Sequence, residues 1–280
     1  MFNRFVAASA LSLAMALPLA AQEMGLGEAA AVAPETRPVE FQQIDPNKNL
    51  ALKFEVRLGA KSQPAYFGSD EYVAAPDFAI KFDYARLKGL AEFGSLSDDP
   101  PARAFGLRGS LRYIGERDSS EYDEIDGLDD IDAALELGLG LVYRERNFRA
   151  FADARYGIGH DSFAGELGMD GIMYPSDNWE LRAGPRLIWG ANSFADTYFS
   201  VNAEEAAKSG LSEYHADGGL LGAGFEARAR YRFNDLWGVE AAVRGDRLIN
   251  DAADSPITGR GSRDQWTVRL GITRELILQF

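Results

Sequence analysis

The sequence predicts an all-β protein, a transmembrane antiparallel up-and-down β-barrel of about 12 strands with 10 as the lower alternative. Three observations predict it. From Leu50 onward apolar and polar residues alternate with a period of two. The alternating segments reach the roughly 9–11 residues that a tilted strand needs to cross a bilayer. One face of each segment is apolar with aromatic residues near the ends, as at a bilayer interface, while the other is rich in arginine and glycine.

At the amino terminus, Met1 to Asn3 and Arg4 precede an apolar run from Phe5 to Leu19 that closes on Ala20 and Ala21. This is the layout of a secretory signal peptide over 1–21, and the run is too short to span a bilayer as a helix. Residues 22–49, rich in Ala, Glu, Pro and Gln, carry neither a helical nor a strand period and read as a flexible periplasmic leader. The barrel then occupies 50–280.

Alternation places candidate strands near 50–60, 74–84, 87–94, 102–115, 130–144, 147–160, 163–175, 178–190, 193–202, 217–233, 236–249 and 264–280. Ile131, Ala133, Leu135, Leu137, Leu139, Leu141 and Tyr143 form one oily row, opposite Asp132, Glu136, Gly138, Gly140 and Arg144. Phe148 to Ile158 repeats the pattern, broken by Phe151. Trp179 to Trp189 has a tryptophan at each end, and Leu221 to Phe233 sets Ala and Phe against Glu226, Arg228, Arg230 and Arg232. Both termini then lie in the periplasm. The connections 61–73, 203–216 and 250–263 fall outside the cell, while Asn234 and Asp235 turn on the periplasmic side. Strand parity puts the long acidic segment Glu116 to Asp129 in the periplasm as well. In the last strand Trp266, Leu276, Leu278 and Phe280 share the oily face, a form that resembles the insertion signal read by the barrel-assembly machinery.

The absence of cysteine excludes a disulfide framework, thiolate metal sites, a thiol nucleophile and an amino-terminal lipid anchor. A net charge of -14 excludes nucleic acid as a natural partner. Although 46% of the residues are hydrophobic, none of the later stretches approaches a transmembrane helix, so outer-membrane lipid is met by strands. No cofactor is implied.

Candidate chemistry lies on the inward face, where Arg57, Arg108, Arg112, Glu136, Arg182, Arg186, Glu226, Arg228, Arg230 and Arg244 are the principal lining residues. They predict a lattice of ion pairs filling the lumen, with a narrow water-filled path favouring anions as the functional alternative. His160, Asp161 and Ser162 invite a hydrolase reading, against which stands the fact that adjacent residues seldom converge into a nucleophile–base pair. His160 and His215 are too few for a dedicated zinc site. The acidic loops suggest cation or basic-ligand capture, with solvation as the plain alternative.

Pro64-Ala-Tyr-Phe-Gly-Ser-Asp-Glu71 resembles the Pro-x-Tyr-x-Gly-Ser-x signature of the MipA/OmpV (MltA-interacting protein) family of outer-membrane proteins. Glu136-Leu-Gly138, Thr197 to Ser200 with Ala206, Ser209, Gly210 and Tyr214, and Asp251-Ala-Ala-Asp254-Ser255-Pro256-Ile257 resemble later blocks in the same order. Pro64, Tyr66, Gly68, Ser69, Asp70, Asp251, Asp254, Ser255 and Pro256 are therefore candidates for a recognition loop or a plug. The resemblance implies a barrel in the Gram-negative outer membrane whose best-known member is a scaffold between a lytic transglycosylase and a murein synthase. It carries no agreed catalytic site. The resulting expectation is a non-enzymatic scaffold barrel of the envelope, with a narrow pore or a small-solute or cationic-ligand binding barrel as the alternative, and an outer-membrane hydrolase third.

Overall fold

The computed structural model describes residues 45, 47–94 and 104–280. The signal and leader expectations lie outside these residues, apart from a few positions just before Leu50. Eleven strands form one antiparallel sheet in the order β3-β2-β1-β11-β10-β9-β8-β7-β6-β5-β4. They are β1 (Leu50–Pro64), β2 (Tyr72–Leu87), β3 (Ala91–Gly94), β4 (Ala104–Ile114), β5 (Ala134–Glu145), β6 (Phe148–Ile158), β7 (Ser162–Ser176), β8 (Trp179–Gly190), β9 (Gly219–Arg232), β10 (Trp237–Leu248) and β11 (Asp264–Gln279). The first and last long strands pair directly, Leu52 opposite Leu278 and Leu58 opposite Ile272. The sheet curls around a central cavity until β4 approaches β2.

The period of two has the consequence that alternation demands, since successive side chains leave opposite faces of a strand. Glu136, Asp153, Asp170, Arg186, Glu226 and Glu240 are buried on the inner face, while Leu107, Leu139, Leu141, Val268, Leu270 and Ile272 are exposed on the outer one. This is the reverse of a water-soluble sheet, whose apolar face is the covered one. A continuous apolar belt of this kind requires lipid. Placing a charge in it is expected to be costly: Leu139→Arg, in the middle of β5 and 66% exposed, should destabilise the barrel by about 2–4 kcal/mol. Urea titration of the protein folded into phosphatidylcholine vesicles would measure this, and wild-type stability would contradict the assignment of the outer face.

Several expectations are corrected. The candidate strand 193–202 is instead helix α1 (Asn192–Phe199), because Phe194, Ala195, Tyr198 and Phe199 recur at helical spacing and bury one stripe. Its loss from the strand set leaves eleven strands rather than twelve among the described residues and reverses the direction of β4 through β8 relative to the expected parity. The acidic segment Glu116 to Asp129 therefore lies not beside the tight turns but at the other end, with the connections 65–71, 191–218 and 249–263. Asp132 likewise precedes β5 and is exposed rather than lumenal. Leu221, assigned to the oily outer row, is buried, because an irregularity between Ile188 and Trp189 shifts its register.

Candidate functional site, a plugged and charge-lined cavity

The four long connections at the loop end fold together into a plug. It contains α1, α2 (Ala203–Ser209), α3 (Asn250–Asp254) and α4 (Pro256–Arg260). Asn202 caps α2 through Glu204 N and Glu205 N, and the Glu205 carboxylate accepts from Asn202 N, completing a capping box. The same carboxylate accepts from Asp129 N at 3.0 Å, tying the acidic segment to α2. Ser255 accepts from Ile257 N at 3.3 Å to cap α4 and donates to Phe199 O at 2.6 Å, tying α4 to α1. Phe67 reaches into this assembly, with ring centroids 5.0 Å from Tyr198 and 5.9 Å from Phe194. A second apolar cluster joins Tyr66, Ile125, Leu128, Val201, Leu211 and Ile257.

Gly68 holds the first loop in place. Its φ of 95° is a conformation that glycine adopts without strain. Gly68 N donates to Gln265 Oε1 at 3.1 Å, Ser262 N donates to Gly68 O at 2.7 Å, and Gln265 Nε2 donates to Ser69 O at 3.0 Å. Tyr66 donates to Glu124 at 2.8 Å, and burial, reinforced by that carboxylate, pushes its phenol above the ordinary range.

Below the plug lies a cavity of about 1890 Å³, lined from Tyr66, Phe67 and Tyr198 at the plug to Asp177 and Asn178 at the turn end. Its walls are charged because every buried carboxylate there is matched by guanidinium. Glu136 accepts from Arg112 Nε at 2.7 Å and Nη2 at 2.6 Å, and from Arg155 Nε at 2.9 Å, with His160 Nε2 at 3.2 Å. Asp170 takes Arg149 and Arg186, at 2.5 and 2.6 Å. Glu226 gathers Arg186, Arg228 and Arg269 within 3.3 Å, while Glu240 bridges Arg57 and Arg228. Such forked, charge-assisted bonds offset the cost of taking these groups out of water. Glycines make room for them: a Cβ at Gly140 would stand 1.9 Å from Asp153 Oδ1. Phe151, the break in the alternation, carries the guanidiniums of Arg108, Arg149 and Arg186 at 4.5, 5.0 and 5.3 Å from its ring.

The plug joins segments far apart in sequence, and a profile spanning both the barrel and these segments accounts for the pattern: that described as "MltA-interacting protein MipA" matches residues 56–276. The chain belongs to the MipA family. The MltA-interacting proteins of Escherichia coli (strain K12) and Shigella flexneri are each 24% identical over 168 residues, 58% of this chain and 64% of the relative. The match thus spans just under two thirds of those curated relatives. Among solved structures, the COG4313 outer membrane channel from Pseudomonas putida F1 is similar at a TM-score of 0.40 and 11% identity, covering 86% of this chain and all of that one. OprD from Pseudomonas aeruginosa gives 0.33 and 10%, covering 80% and 65%.

This MipA-family chain is an antiparallel barrel of the Gram-negative outer membrane, with none of its described helices long and apolar enough to span a bilayer. The blocks quoted from the family pattern converge. Tyr66 and Gly68 pack against the segment that carries Ser255 and Pro256, Ser69 O accepts from Gln265, and Asp251 accepts from Asp217 N at 2.8 Å and, through its carbonyl, from the Tyr214 hydroxyl at 3.0 Å. Pro64 ends β1 on the cavity wall, Asp70 is exposed, and Asp254 meets Arg263 at the surface. Arg57, Arg108, Arg112, Arg182, Arg186, Glu226, Arg228, Arg230 and Arg244 line the cavity, and Glu136 is buried behind Arg112 and Arg155. Trp266 and Leu278 are exposed on the outer face of β11, as is Phe280 just past its end, with Leu276 half-buried. His160, Asp161 and Ser162 are not brought together. His160 faces Glu136, Asp161 meets Tyr156, and Ser162 bonds to Ser193 at 2.6 Å. The sequence reading missed Arg117, Tyr198 and Gln265 at the underside of the plug; the helical spacing around Phe194 was the signal that would have led to Tyr198.

Proposed function

We propose that this chain acts as an interaction barrel of the envelope that engages a murein hydrolase, the kind of partner that the name of its curated relatives gives for them, and that it performs no catalysis of its own. What carries the reading is the match to the MipA family over residues 56–276; the plug closes the end opposite the termini and leaves the end with the termini to face a periplasmic enzyme. The outer face of β11, with Trp266, Leu276, Leu278 and Phe280, is the surface we assign to the barrel-assembly machinery. Affinity capture with the mature, detergent-solubilised protein should retain a lytic transglycosylase and a murein synthase from envelope extracts. Recovery of neither would remove the scaffold role.

The charged cavity favours a second reading, a barrel that binds or passes small solutes. In planar bilayers a plugged barrel should conduct weakly. Complete silence, together with an absence of solute binding, would eliminate this alternative.

A further inference from the structure

The ion-pair lattice beneath the plug leaves one arginine without a direct ion pair, Glu205 and Asp130 acting on it only at longer range. Arg117, at the plug's underside, is 5% exposed, and its Nη2 donates to Asp129 O at 3.1 Å while its Nε has no partner. No carboxylate lies within ion-pair distance of it among the described residues. A buried guanidinium in that state is costly, and burial holds it below the ordinary arginine range. Tyr198, 4% exposed, likewise has a hydroxyl without a partner. Both residues line the cavity, as does Lys61 on β1, which makes no ion pair among the described residues. Lys61 and Tyr198 each lie within electrostatic range of Arg112, whose own charge is taken up by Glu136.

We propose that Arg117, Tyr198 and Lys61 form a binding site at the ceiling of the cavity for a small organic carboxylate, with Phe67 as its apolar wall. The chemistry of the donors selects this class. Guanidinium offers a planar fork to a two-oxygen anion. The phenol, pushed up to about 12 by burial, remains a protonated donor at neutral pH. Lys61 adds positive charge, and the Phe67 ring, edge-on to Tyr198, receives the carbon skeleton. A bound carboxylate would satisfy polar groups that are otherwise left unmet in the interior. The site stands apart from the partner-binding role, since it faces the lumen.

Calorimetric titration of the full mature protein in detergent, with benzoate and with inorganic phosphate as separate probes, tests this. Saturable benzoate binding is expected, weakened about tenfold by Arg117→Gln and several-fold by Tyr198→Phe and Lys61→Gln. Arg247→Gln, at an exposed ion pair with Asp264, should bind as the parent does. Tyr198→Phe keeps the ring and its packing, so its loss of affinity cannot be ascribed to a collapsed plug. Absence of saturable benzoate binding, binding of phosphate alone, or parental affinity in both Tyr198→Phe and Lys61→Gln would overturn the proposal.

Discussion

Replacing Glu136 with glutamine is expected to lower the stability of the barrel by about 3–5 kcal/mol, the cost of removing one partner from a buried ion pair. Glu136 is fully buried and accepts from two arginines and a histidine contributed by β4, β6 and the turn that follows β6. Loss of its charge takes from Arg112 its carboxylate and leaves the buried Arg155 only Asp153, at 3.8 Å. The amide keeps the shape but offers one oxygen and no charge, so it cannot serve both forks. The exposed pair Arg247–Asp264 sets the contrast, where Arg247→Gln should cost no more than about 1 kcal/mol. Urea midpoints in detergent micelles would separate the two variants, and a Glu136→Gln midpoint matching that of Arg247→Gln would refute the structural weight given to the lattice.

Gly68→Val is expected to loosen the plug while leaving the barrel wall intact. At a φ of 95° a β-branched residue carries about 1–3 kcal/mol of backbone strain. Its Cβ would also stand 2.9 Å from Thr258 Oγ1 and 3.1 Å from Thr258 Cα. The strained turn is the one that presents Gly68 N and O and Ser69 O to Gln265 and Ser262. Once these bonds are lost, Phe67 leaves its aromatic neighbours. Limited trypsin digestion should then cut after Arg117 and Lys208 faster than in the parent, and single-channel conductance should rise. A Gly68→Val protein that is cleaved no faster and conducts no better would show that the loop is not the fastening of the plug.

The relation between these predictions and the sequence differs from one feature to the next. Leu135 to Tyr143 and Arg149 to Gly157 disclosed their strands because pleating sends neighbours to opposite faces, a rule that operates over two residues. The apolar outer belt and the arginine-rich interior followed from the same local rule. Strand parity did not, since it depends on every strand being counted. The segment 193–202 kept just enough alternation to pass for a strand although Phe194, Ala195, Tyr198 and Phe199 stand at helical spacing, and the packing of that stripe against Phe67 and Leu221 selects the helix.

Alternation along the chain was therefore sufficient for the fold class, the membrane-facing side and the charged character of the inner face. The joining of four loops into the plug, the end at which the acidic segment lies, and the pair Arg117 and Tyr198 came from the assembled molecule alone. Their defining contacts join positions such as Gly68 and Gln265, 197 residues apart, and nothing in the spacing of either residue encodes the other. Periodicity records which way a side chain points, whereas partnership is set when the closing sheet brings distant loops over one rim.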